Sequence, residues 1–188
     1  MRLILGLGNP GAEYEGTRHN VGFAVVETLA ARHRVSLARS RRVRVGAGRI
    51  LGQSVVLALP QTFMNLVGEA ARPLAGQHGL TPAEIIVVHD EADFPPGLVR
   101  IKAGGGTAGH RGLASLVEHL GSADFVRVRV GIGRPGDLRE ELEDYVLERP
   151  TPEEAEALAE GILRAADAVE ILVRDGLQAA MRAIHRTE

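Results

Sequence analysis

Two side chains in this sequence have the types needed to activate water: His19, in "GTRHN", and Asp90, in "EIIVVHDEAD". A neutral imidazole can take a proton from water, and a carboxylate on its other nitrogen fixes the tautomer and supports the developing charge. The two lie 71 positions apart, so they meet only if the fold brings two strand ends to one crevice. Types and spacing alone prove nothing and favour a solvated loop histidine and an unrelated strand-end acid. Other chemistries are excluded. The chain has no cysteine, hence no thiol nucleophile, disulfide or cysteine-ligated metal. It has no G-x-S-x-G elbow and no H-E-x-x-H, and its seven histidines show no zinc spacing. No metal is expected. His33, His78, His119 and His185 fall in helical segments and read as solvated.

Side-chain amides form a second group. Asn9 follows a strand-like run in "RLILGLGNPG", and Asn65 sits beside Met64 at a helix start in "FMNLVGEA". An amide can hold a peptide main chain or polarise a carbonyl; a polar helix start beside a core methionine is the plainer reading. Gly6, Gly8 and Gly11 match G-x-G-x-x-G, a dinucleotide fingerprint. That motif needs a helix at its third glycine and an acid about 20 residues on to hold the ribose. Here "AEYEGTRHN" follows without apolar periodicity, and the later stretch "HRVSLARSRR" is basic. An NADP-dependent reductase stays open only through those basic residues. "AGGGTAGHRG" lacks the G-K-[ST] of a phosphate loop; it reads as a flexible connection or as a mobile wall that admits a large ligand.

The elements that must position these groups follow from periodicity. "RLILGL", "EIIVVHD", "GLVRIK" and "FVRVRVGIG" read as strands, and "RRVRVGAGRI" with "QSVVLALP" as a hairpin. Helices are expected over 20–33 with Asn20 as N-cap, over 63–78 with a possible kink at Pro73, and in "LASLVEHL". Another starts at Thr151-Pro152-Glu153-Glu154, with Gly176 dividing the last helical region. The pattern gives an α/β fold: a single domain over 1–188 with a mixed, mainly parallel twisted sheet flanked by helices. Sites in such sheets form at the carboxyl ends of the strands, where Asn9, His19, Asp90, the glycine run and Arg127, Arg129 and Arg134 all fall.

The 188 residues are 45% hydrophobic, enough for one sizeable core. The net charge of −2 hides an asymmetry: 16 basic against 10 acidic residues over 1–134, and 6 against 14 over 135–188. The first part suits a polyanion. No apolar run is long enough to span a bilayer, and no leader pattern opens the chain. A cytoplasmic, monomeric protein without membrane contact is expected.

"GLGNPGAEYEGTRHNVGF", "PQTFMNLVGEA", "VVHDEADFPPGLVRIKAGGG" and "RVRVGIGRPGD" occur in order, and together the chain resembles bacterial-type peptidyl-tRNA hydrolases over essentially its whole length. The resemblance implies hydrolysis of the ester joining a peptide to the terminal ribose of tRNA, with no cofactor. It implies His19 as general base, oriented by Asp90, and Asn9 and Asn65 on the peptide backbone or the oxyanion. Tyr14 and Met64 would shape the pocket, and Lys102 and Arg129 would grip tRNA phosphate. One departure from the family bears on the chemistry: "GHRG" replaces Gly-His-Asn-Gly, placing Arg111 where an asparagine is usual; Thr107 also stands where the family often carries another residue, with less consequence. Arginine cannot accept a hydrogen bond, so Arg111 is confined to donation, to phosphate or carbonyl oxygen. That change also keeps in view a non-catalytic RNA-binding protein of the same fold.

Overall fold

The computed structural model describes residues 1–185. Its sheet has seven strands: β1 (Arg2–Gly6), β2 (Ala38–Ser40), β3 (Val43–Ile50), β4 (Gln53–Pro60), β5 (Ile85–Glu91), β6 (Val99–Ala103) and β7 (Val126–Gly131). Their order is β2-β3-β4-β1-β5-β7-β6. The four central strands β4, β1, β5 and β7 run parallel, and antiparallel pairs close both edges.

The unbroken apolar runs of β1 and β5 exist because both sheet faces are covered. Side chains alternate across the pleat. Leu3, Leu5, Ile85 and Val87 enter one core with α2 (Val67–Gln77) and α3 (Arg111–Leu120). Ile4, Ile86 and Val88 enter the other, with α1 (Val21–Arg32), α5 (Pro152–Asp175) and α6 (Leu177–His185). A single turn, α4 (Leu142–Tyr145), lies between β7 and α5. Thr151 caps α5 by accepting from the Glu154 N–H, with Pro152 as its first residue, and Gly176 ends it at φ 89°.

Gly6 and Gly8 of "GLGNPG" serve packing, while Gly11 takes a positive φ of 108° in the turn. A Cβ on Gly6 would lie 2.4 Å from the Gly22 carbonyl oxygen, and one on Gly22 would lie 2.4 Å from that of Val88. Helix α1 therefore crosses β1 almost backbone to backbone. It starts at Val21, after two short 3-10 turns, Ala12–Tyr14 and Arg18–Asn20. Only a three-residue 3-10 turn directly follows Gly11, and α1 starts ten residues later, so the dinucleotide geometry is not built. The helix expected over 63–78 is a 3-10 turn, Met64–Leu66, followed by α2, with Pro73 inside it.

Three histidines expected to be solvated are engaged. His33 Nε2 meets Glu170 at 2.5 Å, His119 Nδ1 donates to the Ser115 carbonyl at 2.8 Å, and His185 Nε2 accepts from the Ile101 N–H at 3.0 Å. Each lies on a helix flank that packs on another element, where a lone polar ring needs a partner. Among the described residues no helix is long and apolar enough to cross a membrane.

Candidate active site

The loop after β1 is locked by amides. The Asn9 N–H donates to Asn20 Oδ1 at 2.9 Å, and the Asn9 carbonyl accepts from Asn20 Nδ2 at 2.9 Å. Asn20, expected as an N-cap, uses its side chain here, and α1 starts with no side-chain cap. Asn9 Oδ1 accepts from the Met64 N–H at 2.7 Å. A backbone N–H can only donate, so this bond fixes which end of the amide is oxygen. Asn9 Nδ2 is left as a donor on a residue that lines a cavity of about 500 Å³.

The following "TRHN" residues tie a distant segment to the same loop. The Arg18 and His19 N–H groups donate to the carbonyls of Glu148 (3.0 Å) and Val146 (2.8 Å). The buried Arg18 guanidinium reaches the Tyr145 carbonyl, pairs with Glu154 at 3.0 Å and stacks on the Tyr145 ring. Leu142, Glu143, Val146 and Leu147 thereby become one wall of the cavity.

Asp90, at the carboxyl end of β5 and 3% exposed, accepts from two imidazoles. Its Oδ2 meets His19 Nδ1 at 2.8 Å and its Oδ1 meets His110 Nε2 at 2.8 Å. His110 Nδ1 accepts from the Gly112 and Leu113 N–H groups at the start of α3. Neutral His110 therefore carries its proton on Nε2 and donates it to Asp90. His19 donates through Nδ1, which leaves Nε2 as the free base on a residue that lines the cavity. Burial alone would lower the His19 pKa, but the charge and hydrogen bond of Asp90 outweigh it and raise it above the ordinary value, against the Arg111 guanidinium. Burial alone would raise the Asp90 pKa; the two imidazoles hold it far below the usual carboxylate range. His89 donates through Nδ1 to the Asp90 carbonyl at 2.8 Å. Burial, then the neighbouring His110, lower its pKa to about 3.

His19, Asp90 and His110 bring three possible ligand atoms within 4.8 Å of one another. Sequence spacing gave no sign of this cluster. The donor set does not suit a cation: to bind through Nε2, His110 would have to move its proton to Nδ1, against two backbone N–H donors.

The floor is cationic. Lys102 faces Arg127 across β6 and β7, and Arg100 faces Arg129. Like charges set opposite each other on a sheet are unfavourable within the fold. Lys102, Arg127 and Arg129 all line the cavity. Arg127, 1% exposed, donates to the carbonyls of Gly105, Gly106 and Ala123. The glycine run is thus fastened to β7. It lies so close to Lys102 that a Cβ on Gly105 would meet Lys102 Cε at 2.4 Å.

Met64, Asn65 and Arg111 also line the cavity. Tyr14 does not; its ring stands edge-on to Phe63, with centroids 6.2 Å apart, and Phe63 forms the wall. Sequence reasoning missed the parts of His110, His89 and Phe63, and it set Arg127 at the strand ends without its bonds to the glycine run. The signals available were modest: a histidine just before a helix after the glycine run, a second one beside Asp90, and an arginine inside an apolar strand.

One cavity at the carboxyl ends of β1, β4 and β5 thus sets the His19 imidazole, paired with Asp90, among the Asn9 amide and the cations of the floor. Fold and site define an α/β protein whose cavity gathers an imidazole, amides and cationic side chains at the strand ends. The sequence matches the family model described as Peptidyl-tRNA hydrolase over residues 3–188. Peptidyl-tRNA hydrolase of Syntrophomonas wolfei is 46% identical over 186 residues, covering 97% of this chain and 99% of that one. The enzyme of Geobacillus thermodenitrificans is 46% identical over 171 residues, 90% and 91% of the two chains. A crystal structure of peptidyl-tRNA hydrolase from Acinetobacter baumannii superposes with a TM-score of 0.92 at 39% identity, over 98% and 94% of the chains. The chain belongs to the peptidyl-tRNA hydrolase family.

Proposed function

We propose that this protein hydrolyses the ester between a peptide, or an N-blocked aminoacyl group, and the terminal ribose of tRNA, returning free tRNA to translation. The observation that carries this reading is the 2.8 Å contact of His19 Nδ1 with Asp90, which leaves Nε2 free at the cavity. Water held there gives a proton to Nε2 as its oxygen attacks the ester carbonyl. Asp90 supports the imidazolium. Asn9 Nδ2, joined by the Asn65 amide, donates to the carbonyl oxygen as it becomes an oxyanion. Collapse of the tetrahedral intermediate breaks the bond to the ribose oxygen, which takes the proton back from His19. An alkoxide of a ribose is a better leaving group than an amide, so base and oxyanion assistance suffice without a nucleophilic side chain. They contribute roughly 10²–10⁴-fold and about 10²–10³-fold.

Lys102 and Arg129 serve the phosphates of the acceptor end, an affinity that tolerates many tRNA sequences. Met64 and Phe63, backed by Tyr14, bound the peptide side. The reaction needs no cofactor and takes all its groups from one chain, which suits a monomer acting where tRNA is, in the cytoplasm. The test is incubation with N-acetylated and free aminoacyl-tRNA. Selective release of the blocked amino acid is expected. No release, or equal release from both, would overturn the reading; tRNA binding without turnover would favour the non-catalytic alternative.

A further inference from the structure

Arg111 opens α3 on the cavity wall, beside His110. Its guanidinium pairs with Glu143 of α4 at 2.9 Å, and the two side chains are 62% and 73% exposed. An ion pair that open to solvent contributes little to the fold and exchanges readily. Its position also works against the chemistry. The cation is near enough to oppose protonation of His19, whereas the reaction requires His19 to become an imidazolium. Glu143, mostly in water, offsets this only weakly. The conflict disappears if the substrate brings an anion to Arg111.

Resting on the function proposed above, we infer that Arg111 is a phosphate subsite, taking the 5′-phosphate of the terminal nucleotide whose ribose carries the ester. That group is the negative charge nearest the scissile bond, a few bonds from the ribose oxygens that must face His19. The other cations of the cavity are placed or engaged differently: Arg127 is consumed by the glycine carbonyls, Arg134 pairs with Asp93, and Lys102 and Arg129 lie on the β6–β7 floor. The planar guanidinium fork matches two phosphate oxygens. Glu143 holds Arg111 in place in the free enzyme and yields it to the phosphate, so that substrate binding neutralises the charge beside the base.

The test compares kcat/KM for N-acetylaminoacyl esters of adenosine and of adenosine 5′-monophosphate, with N-acetylaminoacyl-tRNA as the full substrate. Arg111→Ala is expected to lower the phosphate-bearing rates roughly ten- to a hundredfold more than the nucleoside rate. Arg111→Lys, which keeps charge but loses the fork, should fall between. Glu143→Gln should move the phosphate-bearing rates the opposite way, upward, by releasing Arg111. An unchanged phosphate-to-nucleoside ratio in Arg111→Ala would overturn the subsite. So would a fall in both Arg111→Ala and Glu143→Gln, which would mark the pair as a latch between α3 and α4. A wild-type enzyme inactive on all three esters would instead defeat the proposed function itself.

Discussion

Asp90 accepts from two imidazoles, and the two bonds differ in consequence. The bond from His110 is rigid, because His110 Nδ1 is held by the first backbone N–H groups of α3. The bond from His19 sets the free nitrogen toward the cavity and raises the His19 pKa. The base works only when neutral, so kcat/KM should climb with pH through an inflection above 6.5, the ordinary histidine value. Asp90→Asn removes the carboxylate charge. Its acid limb should move to lower pH and its plateau should fall by about 10²–10⁴-fold; a pH–rate profile reads both, and an unmoved limb would contradict the coupling. Asn9 acts through a different bond. With its Oδ1 held by the Met64 N–H, Asn9→Ala should cost roughly 10²–10³-fold in kcat, measurable as single-turnover rates at saturating enzyme.

At the scale of elements, the site depends on how closely α1 approaches β1. Gly22→Ala would set a methyl 2.4 Å from the Val88 carbonyl oxygen and 2.6 Å from the Leu7 nitrogen. Backbone cannot give way as a side chain tip can, so a loss of about 1–3 kcal/mol or more is expected in urea unfolding. Much of this architecture was legible from sequence. The runs of β1 and β5, the β3–β4 hairpin, the Thr151 cap and the break at Gly176 are local signals, each written within a short contiguous stretch. What was not legible is non-local. Arg18 reaches Glu154 across 136 positions, and nothing in "TRHN" announces that partner. Asn20 carries a cap residue's identity but bonds Asn9, because the close approach of α1 presents it to the loop rather than to its own helix. His19 and Asp90 could be singled out by type, and their motif suggested a role. The tautomer control by His110 depends on where α3 starts in space, which no residue spacing encodes.

For the whole molecule, charge and burial set two further behaviours. His89 is buried neutral with a pKa of about 3 against an ordinary 6.5, and Asp90 is held far below its usual range. Both native pKa values are depressed, so the unfolded chain binds protons first as pH falls. Stability from His89 is complete above 6.5 and is lost progressively below it, with Asp90 adding its loss below about pH 4. Urea midpoints should therefore decline from near pH 6.5 downward, and His89→Gln should flatten the upper part of that decline. The second behaviour is binding. On β6 and β7 Lys102 faces Arg127 and Arg100 faces Arg129, so tRNA affinity should fall steeply with salt, and Lys102→Glu should reduce that slope. On the proposed mechanism affinity is spread over a surface, while bond cleavage is concentrated in one imidazole. That division is tested most directly by His19→Ala, measured for tRNA binding and for single-turnover release of an N-acetylaminoacyl group in the same preparation. The expected result is near-normal binding with release slowed at least about 10²-fold; near-normal binding with undiminished release would show that some other group activates the water.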